Sequence, residues 1–436
     1  MEKIKFTDYQ SQYKSLINFS NNKFRLRHSW FSFVEGFSSE FVRNILGEQF
    51  FLPKSCLDIF GGVGTTALTC QQLNIDCHSI EVNPFIFDIA GTKLFLNYEI
   101  ETIEKLQKEL ISFFKNNCRS NRKILDLESK TFFEEQNIER GKWILDKSVT
   151  NGILDILAFI EIINEKYSTE YGRLFLCTLA TNLIDLSNVY RNGKALSFKQ
   201  NWKEQKYSRK DVHNTFLKCL NQIILVDLKS ESNIEYKVNN YDNFIYGDSR
   251  EKIFDLPNDY FDIVITSPPY LNSRDYTDVY RLELWILGYI NSFVDEQFLR
   301  KSSVTSHVQV YIPDVIPPDI PELNKFLNAL EARVTSKEVK LWNENIIRMI
   351  KGYFVDMGQI IAELYKKVKR NGKVYINVSN SAYGGLQCFV DEILARIGEK
   401  NGFVIEEIRI ARYISSSNQQ NLDSKLRESV IVLSKR

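Results

Sequence analysis

The sequence predicts an α/β fold, a mostly parallel sheet covered by helices on both faces, with a helical insertion and a closing antiparallel hairpin. Three observations carry this. Short β-branched strands alternate with helical periodicity between residues 58 and 96, the pattern of a parallel sheet. A long stretch, 100–240, loses its strand signals and takes on helix spacing. Two strand-like runs, 403–413 and 428–433, then close the chain within hairpin reach.

Residues 1–99 supply an N-terminal segment and the first half of the sheet. After Trp30, Phe31 and Phe37, Ser38 or Ser39 is placed to cap a helix whose Phe41, Val42, Ile45 and Leu46 recur at helical spacing. Ser55–Phe60 reads as a strand, followed at once by Gly61-Gly62-Val63-Gly64-Thr65-Thr66-Ala67. Glycines between a strand and a helix let a ligand approach the backbone. Residues 66–73, 76–82 and 84–96 then read as helix, strand and helix, with Pro84 in a first turn. Glu81 ends the second strand, where an acid can take ribose hydroxyls. Gly62-x-Gly64-x-x-Ala67 also fits a dinucleotide enzyme, so the glycines alone leave the nucleoside ligand open.

Segments near 151–164, 172–188 and 211–226 follow helix spacing inside the insertion. A basic stretch there, with Arg191, Lys194 and Lys199 among interleaved aromatics, suits a nucleic-acid backbone as well as a solvated loop. The last section, 241–436, resumes the sheet at Asn243–Tyr246 and ends that strand at Gly247-Asp248, where Asp248 can accept from an adenine amine, cap a helix, or both. The stretch Phe261–Tyr270 is the sharpest signal. Ile263, Val264 and Ile265 form a buried strand, and Pro268-Pro269 end it in a stiff turn carrying Ser267 and Tyr270. Rigid acceptors beside an aromatic face suit a planar base with an exocyclic amine. Residues 291–335, with Pro313, Pro317, Pro318 and Pro321, read as an irregular stretch and a candidate lid; a helix over 342–369 and a strand over 373–378 follow.

Together, Asp58-Ile59-Phe60-Gly61-Gly62-Val63-Gly64-Thr65 and Ser267-Pro268-Pro269-Tyr270 resemble the cofactor loop and catalytic motif of the amino-methylating DNA methyltransferases. The resemblance implies a Rossmann-like methyltransferase sheet and S-adenosyl-L-methionine as cofactor. It implies contacts to that cofactor from Trp30, Phe37, Asp58, Phe60, Gly62, Gly64, Thr65, Glu81 and Asp248. Ser267 and the Pro268 carbonyl then hold the target amine, Pro269 stiffens the turn, and Tyr270 stacks on a flipped base. Arg274, in the polar turn after the motif, joins Arg191, Lys194 and Lys199 as expected DNA contacts. The Ser-Pro-Pro-Tyr form is associated with cytosine-N4 methylation, since adenine-N6 members usually begin with Asp or Asn. The implied partners are duplex DNA and a cognate restriction endonuclease. An adenine-N6 enzyme, an RNA methyltransferase and a non-catalytic DNA-binding relative remain the alternatives.

Composition constrains rather than decides. With 56 basic and 55 acidic side chains the formal charge is +1, so any nucleic-acid surface is a local patch. Seven cysteines show no paired zinc spacing and the four histidines share no motif, so no metal is expected. The lack of a signal-like or membrane-length apolar run gives a cytoplasmic expectation.

Overall fold

The computed structural model describes residues 3–33, 35–116, 127–192, 195–271, 275–310, 312–415 and 425–436. Its main sheet has eight strands: β1 (Phe6–Asp8), β2 (Ser55–Asp58), β3 (Asp76–Glu81), β4 (Phe244–Tyr246), β5 (Phe261–Thr266), β6 (Val368–Ser379), β7 (Val404–Ile414) and β8 (Leu426–Ser434). The spatial order is β1-β7-β8-β6-β5-β2-β3-β4. All pairings are parallel except β7/β8 and β8/β6, where the C-terminal hairpin enters. The sheet is therefore the Rossmann-like methyltransferase arrangement that the motifs implied.

Strand alternation sends residues to both faces. Val264 joins a core beneath Tyr353, Phe354, Ile360 and Leu394 of α11 (Ile346–Lys367) and α12 (Val390–Lys400). Ile263 and Ile265 face the opposite core with Phe41, Leu68 and Ala90 of α1 (Ser39–Gly47), α2 (Thr65–Gln72) and α3 (Pro84–Leu94). Ser38 is the α1 cap, its side chain accepting from the Phe41 amide. Among the described residues, the insertion is built on five α-helices: α4 (Ile100–Lys115), α5 (Lys147–Lys166), α6 (Thr169–Leu186), α7 (Arg209–Cys219) and α8 (Leu225–Glu231). Their core, with Leu157, Leu174, Phe175 and Phe216, runs on into Phe85, Tyr280 and Trp285.

One expectation needs correction. The stretch 291–335 is not irregular throughout, because it carries α9 (Phe293–Lys301) and α10 (Pro321–Thr335). Ser292 and Asp295 form a capping box for α9, and Pro321 occupies the first turn of α10. Among the described residues, no helix is long and apolar enough to cross a membrane.

The chain passes from β2 through β3 to β4 on one side, then returns to place β5 on the other side of β2. That reversal opens a crevice beyond the carboxyl ends of β2 and β5, the position where open α/β sheets bind ligands. The glycine loop and the Ser-Pro-Pro turn leave those two strand ends.

Candidate active site

A cavity occupies this crevice. The glycine loop forms its floor by close packing. A Cβ on Gly61 would lie 2.9 Å from the Phe244 ring, and Gly64 has φ +77° with Ala90 3.1 Å from its missing Cβ. Gly62 and Thr65 line the cavity itself, whereas Gly64 acts beneath it by letting the loop turn into α2.

Glu81 reaches back under the loop. Its Oε2 accepts the Gly62 amide at 2.9 Å and its Oε1 the Asn83 amide at 2.7 Å. Burial raises its pKa to about 7, against the opposing pull of those amides. Each oxygen keeps a lone pair for a ligand. Asp58, also buried, accepts from the Phe60 amide at 3.2 Å and the Thr266 hydroxyl at 2.7 Å, which ties the β2 loop to the end of β5. Burial raises its pKa as well. Asp248 lines the cavity, caps the short helix Ser249–Lys252 and pairs with Arg250 at 2.6 Å. Much of its hydrogen-bonding capacity is thus used within the chain.

The cavity wall includes Phe37 and Phe60, and Phe33, which the sequence did not single out. Phe33 stacks on Tyr280 with centroids 5.5 Å apart and planes within 6°. Tyr276, Thr277 and, beyond α9, Ser302 and Ser303 complete the wall. No local motif marks these positions, which remote segments supply. Trp30 is a correction. It is buried in the insertion core, its indole N–H donating to Asp227 at 2.9 Å, and it does not line the cavity. Phe31 is likewise packed edge-on against Phe85.

Ser267, Pro268 and Pro269 line the same cavity as Glu81. The Ser267 hydroxyl donates to the Asn377 carbonyl at 3.1 Å, so its lone pairs stay open to an incoming donor. Tyr270 is half-buried just beyond the lining, its hydroxyl donating to Glu428 at 2.7 Å.

The expected DNA contacts fare differently. Arg191 is committed internally: it pairs with the fully buried Glu283, donates to the Val279 carbonyl at 3.1 Å and lies over the Tyr280 ring. Lys199 donates to the carbonyls of Ile184, Asp185 and Ser187 at 3.0, 2.8 and 2.6 Å, closing the C-terminal end of α6. Both are corrections, since neither ammonium nor guanidinium is left to grip phosphate. Lys194 and Arg274 lie outside the described residues. Lys203, Lys206 and Lys210 of the same stretch are exposed.

Cys56, Cys70 and Cys77 converge in the core with their sulfurs within 4.8 Å of one another. Burial pushes the Cys77 thiol well above its usual range, which opposes the thiolate a metal requires.

No family model matches the chain. It is 26% identical over 445 residues to the Type II methyltransferase M.AvaI of Nostoc sp. and of Anabaena variabilis, covering 97% of this chain and 88% of theirs. The Type II methyltransferase M.BsoBI of Geobacillus stearothermophilus is also 26% identical, over 472 residues at the same coverages.

Proposed function

From this relationship to Type II methyltransferases along nearly the whole chain, we propose that the protein methylates the exocyclic N4 amine of cytosine in duplex DNA. The observation that carries the reading is the shared cavity: Ser267 and Pro268 line one side and Glu81 with the glycine loop lines the other. S-adenosylmethionine, when bound, would supply an electrophilic methyl group, the methyl–sulfur bond breaking to leave the neutral thioether S-adenosylhomocysteine. The donor set fits it, because Glu81 has a free lone pair on each oxygen for a ribose diol and Gly62 leaves the floor open. Phe33, Phe37 and Phe60 give the cavity apolar walls, and Asp248 lines it with both oxygens already accepting from Arg250.

The cytosine amine is a weak nucleophile because its lone pair is delocalised into the ring. A base inside a duplex cannot reach the cavity, so it is flipped out. Ser267 Oγ and the Pro268 carbonyl accept the amine hydrogens, which orients the nitrogen and favours tetrahedral character as the new bond forms. Tyr270 offers its ring face to the base. No strong base is required before the product sheds its proton to an acceptor or to water. Ser267 supports cytosine because its hydroxyl is shorter than the Asp or Asn side chain of adenine-type motifs, and so leaves a different gap to the target nitrogen. The restriction-modification setting, with a cognate endonuclease as partner, follows from the Type II character of the relatives.

Mass spectrometry of nucleosides from treated duplex DNA tests this, followed by methylation-sensitive sequencing to find the site. N4-methylcytosine is expected. N6-methyladenine alone overturns the choice of base, and methylation of RNA but not DNA overturns the choice of substrate.

A further inference from the structure

The Tyr270 hydroxyl turns inward, to a network that ring stacking alone does not require. It donates to Glu428 Oε1 at 2.7 Å and accepts from Asn377 Nδ2 at 2.8 Å. Glu428 is 2% exposed and lies on β8 opposite Ser379 of β6, while its other oxygen takes Arg412 of β7 at 2.6 Å. Asn377, also 2% exposed, sits one diagonal step along β6, and its carbonyl receives the Ser267 hydroxyl. The first and last residues of the Ser-Pro-Pro-Tyr turn are therefore tied to the same strand, and the last also to the C-terminal hairpin.

Packing does not explain this arrangement. A phenylalanine would fill the space of the ring, and a buried carboxylate costs folding energy unless it is fully partnered. Asn377 Oδ1 is buried without a partner among the described residues, a further cost of holding its amide against Tyr270. Burial and the adjacent Glu428 charge push the tyrosine pKa well up, so the hydroxyl stays protonated and able to donate.

We propose that Glu428 and Asn377 are positioning residues, which fix the rotation of the Tyr270 ring and the direction of the Ser267 hydroxyl so that both meet the flipped base together. Arg412 holds the other oxygen of Glu428 in place. The hairpin that closes the sheet is then a working part of the methyl-transfer site. This inference rests on the proposed function.

The test is a double-mutant cycle on the full chain, using E428A, E428Q, Y270F and Y270F/E428A. Steady-state DNA methylation is measured alongside calorimetric S-adenosylmethionine affinity and thermal melting. E428A and Y270F are each expected to lower kcat about 10–100-fold, the loss of one charge-assisted hydrogen bond, with cofactor affinity unchanged. E428Q, which can still accept from the hydroxyl, should recover most of that loss. The double variant should be no slower than Y270F alone, because Glu428 acts through the hydroxyl already removed. Full kcat in E428A, or losses that multiply in the double variant, overturns the inference. So does an E428A defect that appears only together with weakened cofactor binding and a lowered melting temperature. Wild-type protein that methylates no DNA overturns the proposed function itself, and is distinguished by showing no activity before any substitution.

Discussion

Removing the carboxylate of Glu81 should weaken S-adenosylmethionine binding by two orders of magnitude. The geometry sets that size. Each oxygen already accepts one backbone amide, from Gly62 and from Asn83, and on the proposed function its remaining lone pair takes one ribose hydroxyl. A hydrogen bond to a charged group contributes about 1.5–3 kcal/mol, so two at the lower limit give about 3 kcal/mol, or roughly 150-fold in Kd. Glu81→Ala loses both. Glu81→Gln should do no better, because one of its termini is a donor that meets a backbone N–H where the carboxylate had an acceptor.

The raised pKa adds a second, sharper expectation. On the proposed function binding uses the ionised carboxylate, and burial pushes its pKa up to about 7 in the free protein. Wild-type affinity should therefore fall as pH drops below 7, by up to about tenfold per unit, while Glu81→Ala stays flat across the same range. The stability of the free protein moves the other way. A folded pKa raised above the unfolded value gives stability that is full below the unfolded pKa near 4.5 and lost as pH rises through 7. At 1.36 kcal/mol per unit, about 3 kcal/mol is at stake. Calorimetric titration between pH 6 and 8 reads the affinity, and denaturant melts read the stability. Glu81→Ala binding within threefold of wild type, or a wild-type Kd that ignores pH, would refute the assignment.

Other outcomes follow from the same structure. Lys93 is 1% exposed and its ammonium pKa is pushed down by burial to about 8, so its charged form opposes folding as pH falls through that value. Lys93→Met should stabilise the protein at pH 7 by about 1–3 kcal/mol in urea melts, a gain that fades toward pH 10.5. Gly64→Ala meets both the positive φ and Ala90 at 3.1 Å, and should cost about 1–2 kcal/mol of stability and loosen cofactor binding in titration. Neutralising Lys203 and Lys210 should weaken DNA binding on every sequence and shallow the salt slope by roughly 0.9 per lost phosphate contact. Arg191→Ala should behave oppositely, leaving the slope unchanged while destabilising the fold by about 3–5 kcal/mol, since it strands the buried Glu283.

What the sequence showed well was local. The β2 loop and the β5 turn announce themselves because glycines, prolines and β-branched runs act within a few residues, and the Glu81 position follows from strand length alone. The α9 and α10 caps were local too, in Ser292, Asp295 and Pro321, but the four prolines between 313 and 321 obscured them. The failures at candidate site residues were decided by partners elsewhere in the chain. Trp30 and Phe37 are seven residues apart and equally aromatic, and Asp227, about two hundred residues on, helps hold Trp30 in the insertion core away from the cavity. Glu283 removes Arg191 from the DNA-facing set, and the end of α6 removes Lys199. Overall charge gives a physical reason to expect this. With 56 cations against 55 anions, a basic run is not a free surface until the acids that fold onto it have been placed. Among the described residues of the Arg191–Lys210 run, the exposed Lys203, Lys206 and Lys210 are left for the proposed phosphate contacts, and even Lys206 lies 3.6 Å from Asp146. A grip built from scattered exposed lysines of this kind, on a chain with almost no net field, gains little from long-range steering. Under the proposed function, the choice of target base is then left to contacts made after docking, at the cavity where Ser267 and Tyr270 are held.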